Sequence, residues 1–148
     1  MSTLALRVLE HVHGHVGWLA VAALLHPAII LRRPRRRASL SVVLATLTLT
    51  LTGVAGVMLY SPYRNTLKQR IFIETPRVGW LFERKEHLAV GALALAWVGC
   101  VAHLTAPRFP SSARSSVERA AHGAFVAAAA LAALTAVLGV IVAVNATF

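Results

Sequence analysis

The sequence predicts an all-α integral membrane protein, a single domain over residues 1–148 folded as an up-down bundle of four spanning helices. Three observations predict it. Of the 148 residues, 57% are hydrophobic and only 14% are charged, far from the balance of a soluble globular domain. Four apolar stretches, residues 9–31, 39–60, 86–104 and 120–144, each approach the ~20 helical residues that cross ~30 Å of hydrocarbon. The charged residues gather between these stretches, so the formal charge of +10 reads as topology and lipid-headgroup contact, with no nucleic-acid partner.

The distribution of basic residues sets the expected orientation. Arg32, Arg33, Arg35, Arg36 and Arg37 follow the first span, and Arg108, Arg114 and Arg119 follow the third. Placing both loops inside gives eight basic residues there against seven outside, and the density of the first block selects an N-out, C-out arrangement. The first span is long, has no clear small-residue cleavage site and has its charge block behind it, so it reads as a mature span and not as a signal peptide. The expected location is a bacterial inner membrane.

The first span, within RVLEHVHGHVGWLAVAALLHPAIILRRPRRR, holds four of the seven histidines. At 3.6 residues per turn His11, His15 and His26 lie at about 0°, 40° and 60°, on one face, while His13 points elsewhere. His15 and His26 are about 16 Å apart in rise, enough to serve opposite leaflets. Pro27 predicts a kink near the inner end. In the second span Thr46, Thr48, Thr50 and Thr52 alternate with apolar residues like a strand. A lone strand in lipid leaves its backbone unpaired, so a helix is expected, its threonines bonded to preceding carbonyls. Gly53 and Gly56 add a small-residue patch there, suited to close helix packing or to a flat ring.

Residues 61–85 read as a long connection containing a short interfacial amphipathic helix around Arg64 to Phe72, with Tyr60, Tyr63 and Trp80 as belt residues. The third span carries His87 at its outer end and His103 at its inner end, about 160° apart in phase. Its lone Cys100 reads as a small packed residue. A loop rich in Pro and Ser follows, from which Ser115 or Ser116 is expected to cap the last helix. That helix is alanine-rich and places His122 near the inner surface.

Sorted by depth, the histidines form an outer group of His11, His13, His15 and His87 and an inner group of His26, His103 and His122. A b-type haem is held by neutral imidazoles from facing helices in a slot of small and apolar residues. Two such haems are expected, one per leaflet: the outer on His15 and His87 with His11 as substitute, the inner on His26 and His122 with His103 as substitute. In architecture, though in no family-specific motif, the four spans and two histidine depths resemble the four-helix membrane cytochromes b that carry two stacked haems. That resemblance implies two haem b groups, electron transfer across the membrane, and quinone or a redox partner protein at one surface. Two other functions compete with it. One is an accessory subunit of a larger membrane complex. The other is a metal transporter using the outer histidines with Glu10, Glu83 and Glu86, for which the HVHGH spacing is compatible with a surface metal site. Hydrolase and transferase constellations are lacking in the sequence, so any catalysis would be redox chemistry of a cofactor.

Overall fold

Five α-helices follow one another in the computed structural model, which describes residues 3–33 and 38–145: α1 (Thr3–Ile30), α2 (Ser39–Thr66), α3 (Lys68–Glu74), α4 (Pro76–Thr105) and α5 (Ser111–Asn145), with a 3-10 turn at Ala106–Arg108. The four long helices are each long and apolar enough to cross a membrane. Arg35, Arg36 and Arg37 of the basic block lie outside the described residues.

Side-chain register fixes how the helices run. His13 lies at Gly56 and Gly17 at Thr52, Gly53 meets Leu93 and Thr46 reaches Ala96, and Lys85, Gly91 and Gly99 meet Gly139, Leu131 and Phe125. Within each set one number climbs as the other falls, so α1/α2, α2/α4 and α4/α5 are antiparallel neighbours. Contacts between α1 and α5 close the ring, and among the described residues no Cα–Cα approach within 8 Å links the diagonal pairs α1/α4 or α2/α5. The up-down order is therefore as the sequence predicts.

Small residues at three- and four-residue spacing line the seam: Ala20, Leu24 and Ala28 of α1, Val42, Ala45 and Leu49 of α2, Ala92, Ala96 and Cys100 of α4, and Phe125, Ala128 and Ala132 of α5. Helices in lipid gain nothing by hiding apolar surface from one another, so close van der Waals contact of small side chains is what holds them. Phe125 is the one large ring in this seam. It is fully buried with its Cδ2–Cε2 edge against Gly99, where an added Cβ would stand 2.9 Å from it. Leucines, valines, isoleucines and tryptophans cover the outside, among them Leu19, Leu40, Val57, Trp97 and Val140, as expected of a surface solvated by acyl chains.

The charges bracket a band of hydrocarbon thickness. Between Glu10 of α1 and Arg32 in the turn after it, and between Glu86 and Arg108 along α4 and its 3-10 turn, no charged residue occurs over roughly 21 residues, about 32 Å at helical rise. Through the register Glu10 and Glu86 share one plane, and Arg32 and Arg108 the other. These planes define a glutamate end and an arginine end.

Several boundaries depart from the sequence-based expectation. The connection at 61–85 is nearly all helix, because α2 continues to Thr66 through Pro62 and α4 starts at Pro76. Proline is accepted at the start of α4 because the first-turn N–H has no helical partner to lose. The short helix spans Lys68–Glu74, later than Arg64 to Phe72, because the chain turns at Leu67, whose N–H still bonds to the Tyr63 carbonyl. Tyr63, Leu67 and Ile71 pack on Val78 and Phe82 and tie this helix to α4. α5 begins at Ser111, ahead of Ser115 and Ser116: the Pro110 carbonyl accepts from the N–H groups of Ala113 and Arg114 and starts the first turn. Ser116 instead accepts a bond from Arg119, and Arg114 pairs with Glu118 at 3.0 Å.

The second helix meets its expectation closely. Thr46, Thr48, Thr50 and Thr52 donate to the carbonyls of Val42, Leu44, Thr46 and Thr48 at 2.8–2.9 Å. Thr46 also lies 3.5 Å from the Ala96 carbonyl of α4 and Thr52 3.4 Å from the Val16 carbonyl of α1, so the same hydroxyls reach neighbouring helices. Gly53 and Gly56 serve close packing, and Cys100 is a free, buried thiol.

Candidate functional site

Helix phase decides which histidines can face the seam. A step of two residues turns the side chain by about 200°, so whatever face His13 takes, His11 and His15 take the opposite one. The seam of α1 runs through Glu10, His13, Gly17, Ala20 and Leu24, and His13 is drawn into it. Its ring packs on Gly56, where an added Cβ would stand 3.2 Å from Cε1, and its Nδ1 is buried without a hydrogen-bond partner.

His11, His15 and His26 do share a face, as their spacing predicts, and all three are exposed. At His11 and His15 that face looks away from the bundle, whereas at His26 it borders the start of α2. His11 Nδ1 lies 2.8 Å from the Arg7 carbonyl, His15 Nδ1 2.8 Å from the His11 carbonyl, and His87, also exposed, 2.8 Å from the Glu83 carbonyl. A carbonyl only accepts, so Nδ1 carries a proton, and in the neutral ring Nε2 keeps its lone pair. These three imidazoles are thus set in the tautomer that ligates metal through Nε2.

At the arginine end, the first turn of α2 meets two imidazoles. His26 Nδ1 bonds with the Ser41 hydroxyl and His103 Nε2 lies 3.5 Å from that of Ser39, linking α1, α2 and α4. His122 is half-buried on α5 with Nε2 unpartnered. Neither Ser39 nor Ser41 stands out in the sequence. Their signal is depth: both begin the helix that follows the short loop after His26.

Of the pairs expected to hold haem, the outer one is not brought face to face, and the inner one, His26 and His122, stands on the neighbouring helices α1 and α5. His15 and His87 stand on diagonal helices, both exposed, and His26 is exposed and engaged with Ser41. Between the helices Ala20, Leu24, Val42, Ala92, Ala96, Phe125 and Ala128 are at 0% exposure, so the middle of the bundle is filled. A porphyrin with an imidazole on each side does not fit within this closed seam. An open apolar groove of about 480 Å³ lies on the outside of α4 and α5, lined by residues including Trp97, Val101, Phe109 and Val117, with no histidine in its wall.

The glutamate end carries a charged collar that sequence reasoning passed over apart from its acids. Glu83 pairs with Lys68 at 2.6 Å, and this bond holds the Lys68 ammonium above the ordinary lysine range. Lys85 lays its ammonium 4.6 Å from the centre of the Phe82 ring, runs past Gly139 of α5, and its charge acts on Glu10 of α1 and Glu86 of α4. Phe82 in turn stacks on Tyr63 at 3.8 Å. Of the three acids the transporter reading draws on, Glu83 is thus paired with a lysine and Glu10 and Glu86 lie in the field of Lys85, and among the described residues no three His, Cys, Asp or Glu side chains converge as a metal cluster.

This placement has a direct consequence for chemical labelling. Diethylpyrocarbonate, which acylates neutral imidazole, is expected to modify His11, His15 and His87 several-fold faster than His13 in the detergent-solubilised protein, read by peptide mass spectrometry. Equal rates would mean that His13 does not sit against Gly56.

Comparison with known protein families, curated proteins and solved structures finds no match for this chain.

Proposed function

We propose that the chain is a four-span accessory subunit of a larger membrane assembly, seated in a bacterial cytoplasmic membrane with both termini outside and the arginine end inside, and that it acts by packing laterally against partner subunits. The observation that carries this reading is the outward turn of His15, about five residues or 7 Å below the Glu10 plane. Ionisable side chains within spans face a protein interior or a water-filled cavity in nearly all cases, because hydrocarbon solvates them poorly. A covering protein surface accounts for an exposed imidazole at that depth, and acyl chains do not. The filled seam supports the same reading, since it leaves the bundle no internal site. Arg32, Arg33, Arg108, Arg114 and Arg119 at one end support the orientation.

A second reading, the b-type cytochrome, is favoured by one specific observation: the Nδ1 protons of His11, His15 and His87 are tied to backbone carbonyls, leaving Nε2 ready to ligate. Since the closed bundle does not fit the group, haem in this reading would lie against the outer face and take its second ligand from a neighbouring chain. Bound there, haem b would supply one-electron exchange with quinone or a redox partner protein.

The two readings separate in one preparation. Native membranes are solubilised in mild detergent, the complex size is measured, and the dithionite-reduced spectrum is recorded. A fixed complex larger than one chain, without stoichiometric haem, is expected. A lone monomer would overturn the accessory reading, and stoichiometric haem lost in H15A or H87A would establish the second.

A further inference from the structure

His11 and His15 stand one helical turn apart on the exposed face of α1, and their two Nε2 atoms are the only ring positions left to bind anything. From this geometry we infer that the HVHGH turn is a two-point chelate for a late first-row divalent cation such as Cu²⁺ or Zn²⁺.

Residues four apart lie one above the other on a helix, with Cβ atoms about 5–6 Å apart. Both rings lean toward the helix N-terminus, each Nδ1 on the carbonyl one turn earlier. Held so, the rings are stacked about 6 Å apart in rise. An ion bound at ~2.0–2.1 Å by each nitrogen needs them within about 4 Å. One ring therefore releases its carbonyl and tilts toward the other, a small motion for an exposed side chain, and the space beside them is open, with nothing within 4 Å of an added Cβ at Gly14. The ring that stays keeps its Nδ1–H on the backbone, the outer partner that usually orients a ligating histidine.

Ligand type sets the class of ion. Two neutral imidazoles suit Cu²⁺, Ni²⁺ and Zn²⁺ and discriminate against Mg²⁺ and Ca²⁺, which take oxygen ligands. Glu10 and Arg7 flank this turn with opposite charges, and Glu10 feels both His11 and Arg7. Their fields oppose one another, so the imidazoles carry the selectivity. His13, on the far side of the helix, and His87, on the diagonal α4, are too far round to join. In the separated chain the remaining positions are left to solvent.

The test uses the untagged full chain in detergent with Cu²⁺ as the probe, read by electron paramagnetic resonance and by titration calorimetry, with Zn²⁺ as competitor. One equivalent of Cu²⁺ with a two-nitrogen hyperfine pattern is expected, displaced by a large excess of Zn²⁺ and not by the same excess of Mg²⁺. H11A and H15A are each expected to weaken binding at least about tenfold, while H26A and H87A leave it unchanged. H15A/V12H keeps the number of histidines on the helix but puts the second about 100° round from His11 instead of about 40°, on the adjacent residue and not one turn away, and is expected to bind no better than H15A. Both rings are exposed, so the substitutions leave the fold intact, which the unchanged circular dichroism spectrum verifies. Undiminished binding in the H11A/H15A double variant, or an equal loss in H87A, would overturn the site.

Discussion

Phe125→Ala is expected to destabilise the bundle by about 2–3 kcal/mol, measured by reversible unfolding in mixed micelles. Phe125 is at 0% exposure between α5 and α4 and is the largest fully buried side chain among the described residues. The magnitude differs from that of a water-soluble core for a physical reason. There, truncating a buried phenylalanine costs about 3–5 kcal/mol, the sum of lost transfer energy and a residual cavity. In a bilayer the separated helix would place the ring among acyl chains as apolar as the seam, so the transfer part largely cancels. What remains is the void: about 100 Å³ at roughly 24 cal/mol per Å³ gives about 2.4 kcal/mol. A cost well below 1 kcal/mol would mean that α5 closes the gap by sliding onto Gly99.

Gly99→Val is expected to cost about 1–3 kcal/mol by overpacking, in the same assay. The Cβ alone would stand 2.9 Å from the Phe125 ring and 3.3 Å from the Ala121 carbonyl, and the carbonyl belongs to helix backbone that cannot turn aside. The two substitutions touch the same space from opposite sides, so their effects are not additive. In G99V/F125A the valine methyls occupy part of the volume the ring vacates, and the double variant is expected to lose less than the sum of the single losses, by about 0.5–2 kcal/mol. Additive losses would place the ring away from Gly99 in the membrane-embedded protein. Neither change approaches His11, His15 or the collar at Lys85, so complex size and Cu²⁺ binding serve as internal controls.

The helices were legible where their signal is local. Hydrophobic length identifies four spans, and the threonines of α2 follow from the need of every backbone group in lipid for an internal partner. The ends were less legible because hydropathy measures where a helix can meet acyl chains and not where it stops. Beyond the hydrocarbon plane, charges and a first-turn proline are compatible with helix, so α2 runs on through Pro62 to Thr66 and α4 begins ten residues before the apolar stretch, which starts at residue 86.

The chemistry divides the same way. Spacing by itself determined that His11, His15 and His26 share a face, that His13 opposes them, and that the histidines lie at two depths. Relative angles around a helix are a property of the backbone. Tertiary structure alone decided which way that common face turns, and it turned His13 to Gly56, His11 and His15 outward, and His26 to Ser41 of α2. A soluble helix would have announced its rotation through an apolar stripe against a polar one. Here leucine, valine and alanine surround the helix on every side, because lipid and protein interior make the same demand, and only the fit of small residues between helices chooses the face.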